Sequence, residues 1–102
     1  MPVYVDDMRM PAQVGRLRAR WSHLMADTSA ELHAFAARLG LRRSWAQHEG
    51  TWKEHYDVTD SKRLAAIAIG AIPIELGGDE WLALTSRKRV EAECPQHQEG
   101  QQ

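Results

Sequence analysis

Between Arg16 and Leu39 the spacing of apolar residues switches from every second position to helical spacing, and this switch constrains the fold most. Leu17, Ala19, Trp21, His23 and Met25 alternate with Arg16, Arg18, Arg20, Ser22, Leu24 and Ala26. A period of two predicts a strand, and its second half, apolar on both sides, predicts a strand inside a covered sheet. The pattern breaks at Asp27. Thr28 and Glu31 form a capping box, Leu32, Phe35, Ala36 and Leu39 recur at helical spacing, and Gly40 supplies the stop. A strand that feeds an amphipathic helix is a building unit of an α/β domain.

The rest of the chain fits that class. Val3-Tyr4-Val5 reads as a first strand ending at Asp6-Asp7, and Met8 to Gly15, with Pro11, as a loop. Leu41 to Gln47 is expected to be a strand centred on Trp45, followed by a polar loop from His48 to Asp57. Thr59 or Asp60 caps a second helix with Leu64, Ile67, Ala68 and Ala71 as its buried stripe, ended by Gly70. Ile72, Ile74 and Leu76 alternate in a last strand, which Pro73 assigns to an edge. Asp79 is expected to cap a third helix over Glu80 to Ala92, with Trp81 and Leu84 facing inward. The expected fold is α/β, a small mixed or mainly parallel sheet of about four strands with two to three helices. Helical crossovers favour parallel pairing of its last three strands. The organisation expected is an α/β core over residues 1–76, a helical extension over 77–93 packed on the core, and a disordered tail over 94–102.

The 102 residues suffice for one domain, and 43% hydrophobic with 26% charged residues is globular composition. A net charge of -1 argues against a general nucleic-acid or membrane-surface binder but leaves room for a local basic patch. The lone Cys94 forms no internal disulfide, and its expected tail location without an acid–base cluster argues against a catalytic thiol. The opening residues lack the basic start and apolar run of a signal peptide, and no apolar run is long enough to span a bilayer. These features predict a cytoplasmic protein without membrane attachment.

Ligands of open parallel sheets bind beyond the carboxyl ends of strands, which directs attention to Asp6-Asp7, Asp27 and the loop holding His55-Tyr56-Asp57. If those ends converge, carboxylates and an imidazole surround one crevice. Oxygen ligands suit Mg²⁺ or Mn²⁺, and an added histidine shifts the choice toward Mn²⁺, Zn²⁺ or Fe²⁺. His23 lies mid-strand beside Trp21 and Met25, where a polar ring needs a partner. His33 sits at the margin of the first helix's apolar stripe; His48 and His97 carry no signal beyond composition. No Gly-x-Ser-x-Gly elbow, Walker loop or Gly-x-Gly-x-x-Gly is present. Arg16, Arg18 and Arg20 share a strand face. With Arg42-Arg43 and Lys62-Arg63 they could hold phosphate or a nucleic-acid strand, with Trp21, Trp45 or Trp52 for stacking. Arg87-Lys88-Arg89 is a weaker case.

Val3-Tyr4-Val5-Asp6-Asp7, Trp21 to Thr28, Glu31-Leu32-His33 and His55-Tyr56-Asp57-Val58-Thr59 together resemble the domain of unknown function 4031 family of small bacterial and phage proteins. The resemblance covers about Val3 to Leu76, with the chain from Gly77 outside the pattern. It implies a small intracellular protein and no established activity. It sets His23, Asp27, His33, His55, Tyr56 and Asp57 at motif positions.

Three functions are open to such a chain. The leading one is a metal-assisted phosphoester hydrolase acting on a nucleotide or nucleic acid. Its metal ligands would come from Asp6, His23, Asp27, His55 and Asp57. His55 and Asp57 would be catalytic, Arg43, Tyr56 and Lys62 would bind the ligand, and the cofactor would be Mn²⁺, Mg²⁺ or Zn²⁺. The second is a non-catalytic binding module for an anionic small molecule or partner protein. The third is a self-associating accessory protein, a homodimer built on exposed tryptophans and an edge strand.

Overall fold

A computed structural model describes residues 2–93; Cys94, His97 and the rest of the expected tail lie outside the described residues. It is an α/β fold with a mixed five-stranded sheet and three helices. The strands are β1 (Val3–Val5), β2 (Met10–Val14), β3 (Leu17–Ala26), β4 (Tyr56–Thr59) and β5 (Ile72–Pro73). The helices are α1 (Ser29–Arg38), α2 (Asp60–Ala68) and α3 (Asp79–Glu93), with a 3₁₀ turn at Arg43–Trp45.

The long β3 organises the sheet. Its Leu24–Ala26 end pairs antiparallel with β1, and its Leu17–Trp21 end pairs antiparallel with β2. On its other edge Trp21–Leu24 pairs antiparallel with β4. β5 adds to β1 in the only parallel pairing among the described strands. The expected parallel pairing of the last three strands is therefore corrected. β4 and β5 run in the same direction, but β3 and β1 lie between them.

The expected strand from Leu41 to Gln47 is corrected too. After α1 has carried the chain back along the sheet, residues 41–55 return it to the Leu24 end of β3 as a 3₁₀ turn and an isolated bridge between Gln47 and His55. That return makes β4 antiparallel. The expected Met8–Gly15 loop is instead largely β2, an edge strand that tolerates Pro11. Val14 pairs with Leu17 across a two-residue turn where Gly15 takes φ +61°, a conformation glycine adopts without steric cost.

Strand alternation sorts the core into two layers. Val3, Val5, Leu24, Ala26, Tyr56 and Val58 face α1 and α2. Met25 and Tyr4 face the other way and pack with Ile74 and with Leu84 and Trp81 of α3. Thr28 Oγ1 accepts from the Glu31 amide, so α1 starts at the expected cap, but the Glu31 carboxylate accepts from the Thr28 hydroxyl rather than from its amide as a full capping box would. Thr59 likewise caps α2 by accepting from the Lys62 amide. The α2 stripe is rotated from expectation: Ala66 is buried and Ile67 partly so, while Leu64 is 64% exposed. Polar anchors set that rotation, because Lys62 Nζ donates to the Leu39 carbonyl and Arg63 Nε to the Asp6 carbonyl. Asp79 lies in the first turn of α3 rather than before it, and the Leu82 amide donates to the Gly78 carbonyl. The last strand is shorter than expected, only Ile72–Pro73.

Candidate functional site

Register decides which polar groups meet. His23 in β3 is the direct partner of Asp57 in β4, so both side chains leave the sheet on the face shared with α3. His55 stands two residues before Asp57 and projects to the same side. One ligand atom each from His23, His55 and Asp57 lies within 4.8 Å of the others. The His23 and His55 rings meet edge to face with centroids 4.9 Å apart.

Each histidine is held to the framework through its Nδ1. Nδ1 of His23 donates to Asp6 Oδ2 at 2.6 Å, and Nδ1 of His55 donates to the Lys53 carbonyl at 2.7 Å. A carbonyl accepts only, so the His55 proton sits on Nδ1, and Nε2 presents a lone pair unless the ring carries a second proton. That Nε2 lies 3.3 Å from Asp57 Oδ1, also an acceptor. The Nε2–Asp57 contact is a hydrogen bond when the ring carries a second proton and a facing pair of acceptors when it does not. Gln47 Nε2 holds the other Asp57 oxygen.

Asp6 is the anchor beneath. It is fully buried, its amide donates to the His23 carbonyl, and its Oδ1 accepts from the His23 and Met8 amides. Burial alone would raise its carboxyl, but the His23 and Met8 hydrogen bonds and the His23 charge hold it below the ordinary value. The same Asp6 hydrogen bond raises His23, against the opposing effect of burial. At Asp57 the His55 hydrogen bond is the largest cause and, with Gln47, lowers the carboxyl despite desolvation. A carboxylate that orients a histidine and increases its basicity is the usual outer support of a metal ligand.

The remaining predicted residues fall elsewhere. Convergence of all these strand ends requires parallel strands. Because β1 and β3 are antiparallel, Asp27 after β3 lies at the opposite end of the sheet from Asp6 after β1. Its carboxylate pairs with Arg87 Nε at 3.0 Å. Arg43 pairs with Glu49, and Lys62 donates to the Leu39 carbonyl. Tyr56 points to the α1 face, where its hydroxyl meets His33 Nδ1 at 2.7 Å. His33 Nε2 donates to the buried Glu54 carboxylate at 2.9 Å, and Ser29 Oγ donates to the same oxygen.

Two neighbours of the site, Gln47 and His48, carry no motif signal. Gln47 could have been found only through its bridge to His55. His48 has its ring centroid 5.8 Å from that of His55 and φ +53°, a left-handed conformation uncommon outside glycine. Nothing in the local sequence marks either residue.

An open groove of about 920 Å³ adjoins the site; Asp57 belongs to its lining, with Leu17, Trp21, Trp45, Thr59 and Lys62 among the others. No described helix is long and apolar enough to cross a membrane.

No curated protein and no solved structure matches the chain. A family model described as "Protein of unknown function (DUF4031)" matches residues 3–88. The match continues past Leu76, the limit expected from the motifs, into α3. There Leu84 is buried in the sheet's second core layer and Lys88 Nζ donates to the Glu54 carbonyl. The chain belongs to this family of proteins of unknown function.

Proposed function

We propose that this protein binds one divalent metal ion through His23, His55 and Asp57 and uses it to hydrolyse phosphoesters. The supporting observation is the convergence of two histidines and a carboxylate, with each imidazole Nδ1 already committed to Asp6 or to the Lys53 carbonyl. Two nitrogens and one carboxylate leave coordination positions open, as catalytic sites require, and favour Zn²⁺, Mn²⁺ or Fe²⁺ over Mg²⁺. Asp6 then acts as the outer partner of His23 rather than as a ligand.

The ion would supply Lewis-acid activation of water and of a phosphoryl oxygen. The chain's own residues do the rest. Asp6 and the Lys53 carbonyl keep the two rings oriented, and Gln47 keeps Asp57 turned inward. His48, exposed beside His55, can deliver a proton to the leaving oxygen as water adds to phosphorus and the ester P–O bond breaks. Lys62 and the arginines of the β2–β3 hairpin supply positive charge for the substrate phosphate.

Calorimetric titration of the metal-free protein with Zn²⁺, Mn²⁺ and Mg²⁺, followed by assay of the loaded protein on nitrophenyl phosphate mono- and diesters, tests the reading. One equivalent of Zn²⁺ or Mn²⁺ bound, with turnover lost in Asp57→Asn, is expected. Absence of binding to any of the three ions overturns it. Stoichiometric binding without turnover leaves a non-catalytic anion-binding module, the second reading.

A further inference from the structure

From Met8 to Ala26 the chain carries Arg9, Arg16, Arg18 and Arg20 and no acidic residue, although its overall net charge is -1. Structure turns this run into an arm. All five residues of β2 are exposed, as are Arg16, Leu17, Arg18 and Arg20 around the turn. Arg9 is neutralised by Asp60, leaving Arg16, Arg18 and Arg20 without a carboxylate partner among the described contacts. The unspent positive charge is thus concentrated at the turn end of the β2–β3 hairpin, with Arg16 in the turn and Arg18 and Arg20 on one face of β3.

That end also has an unpaired edge. β4 covers β3 only from Trp21 to Leu24, so Leu17 to Arg20 pair with β2 alone. The groove of about 920 Å³ follows this edge, and both strand faces border it: Leu17, Ala19 and Trp21 from one, Arg20 from the other. Trp45, 52% exposed, belongs to the lining. Asp57 of the candidate metal triad belongs to the same lining.

We infer that this groove binds single-stranded nucleic acid. Arg20 in the lining, with Arg16 and Arg18 beside it on the same hairpin end but outside the lining, supplies positive charge for a phosphate backbone, and an apolar, tryptophan-bearing lining accepts unstacked bases of any sequence. A strand lying in it passes Asp57. A duplex, its bases already stacked, offers nothing to Trp45 or Trp21. The position of the bound strand rests on the hydrolase reading for its consequence, cleavage, but binding itself requires no metal.

Fluorescence anisotropy of a labelled 12-nucleotide oligothymidine tests this, with the protein kept metal-free in chelator. Binding should weaken roughly 20-fold between about 50 and 200 mM salt if some three phosphates are contacted. The same label on a duplex of equal length should bind at least about tenfold more weakly. Arg16→Gln/Arg18→Gln/Arg20→Gln should remove most of that salt dependence, and Trp45→Ala should cost about tenfold. Both variants change exposed side chains and should keep the wild-type circular dichroism and metal stoichiometry. No binding at low salt, equal or tighter binding of the duplex, or an unchanged affinity in the arginine variant overturns the inference. The calorimetric metal titration decides the hydrolase reading separately, since neither variant touches the triad.

Discussion

Tyr56 and Asp57 are neighbours in β4, yet each joins a different cluster of histidine and carboxylate. On the α1 face Tyr56 meets His33, which meets Glu54; on the α3 face Asp57 meets His55 and His23, which is backed by Asp6. Either cluster could be taken for a metal site, because His33, Glu49 and Glu54 also bring ligand atoms within 4.8 Å of one another. The difference is in what remains to be bonded. Both His33 nitrogens are used, one by the Tyr56 hydroxyl and one by Glu54, and Glu49 is paired with Arg43. His23 is held by the framework through Nδ1 alone, and His55 through Nδ1 to the Lys53 carbonyl, while His55 Nε2 meets Asp57, itself a member of the partly exposed triad. A satisfied network stabilises the fold; a network with converging acceptors can hold a cation.

The strongest way to break this comparison is to exchange the roles by mutation. Asp57→Asn should lower Zn²⁺ affinity by more than about 100-fold, beyond the loss typical of an outer partner, with the circular dichroism spectrum unchanged. Glu54→Gln should leave that affinity unchanged. If Glu54→Gln rather than Asp57→Asn abolished binding, the two clusters would have been assigned the wrong way round.

His33→Ala is expected to act on stability alone. It strips the buried Glu54 carboxylate of its histidine donor and leaves the Tyr56 hydroxyl without its partner, a loss of about 2–4 kcal/mol by urea denaturation. Wild-type stability in this variant would mean that the α1-face network contributes nothing.

A smaller effect is expected at Asp6. Asp6→Asn keeps the shape but weakens the hold on His23 Nδ1, so Zn²⁺ affinity should fall about 10- to 100-fold without change in stoichiometry. A loss as complete as that of Asp57→Asn would make Asp6 a ligand instead.

The mildest test concerns Lys88, 7% exposed, whose ammonium donates to the Glu54 carbonyl beneath the first cluster. Burial lowers it below its ordinary 10.5, more than the nearby Glu54 and Asp27 charges raise it. A cation with a lowered folded value costs stability below that value and releases the cost as pH rises toward the unfolded 10.5. Denaturation midpoints of wild type should therefore gain on those of Lys88→Met through the alkaline range. Parallel pH profiles would show that Lys88 keeps its charge without cost.

Much of this arrangement was legible before the fold. The sequence marks His23, His55 and Asp57, His23 because a mid-strand imidazole needs a partner and the others for their place near a strand end. Asp27 was included on the assumption of parallel strands and is removed to the far end of the sheet by the antiparallel β1–β3 pairing. His33 looked like a boundary residue because its partner Glu54 is 21 residues away, beyond any local spacing rule. Leu64 looked buried because periodicity reports a stripe, whereas the contacts of Lys62 and Arg63 set which way the stripe faces.

By itself the sequence determined the elements whose stabilising contacts are local. The alternation of β3, the Thr28–Glu31 cap, the α1 stripe and the Thr59 cap all act over a few residues, so spacing reveals them. It also gathered Arg16, Arg18 and Arg20 on one strand, although β2, which completes the arm, was expected as a loop. Only the tertiary structure decided strand direction and register. Those depend on how far residues 41–55 carry the chain back, a long-range path that no local pattern records. Register in turn set His23 opposite Asp57 and left Tyr56 to the other face, because neighbouring side chains in a strand point to opposite sides.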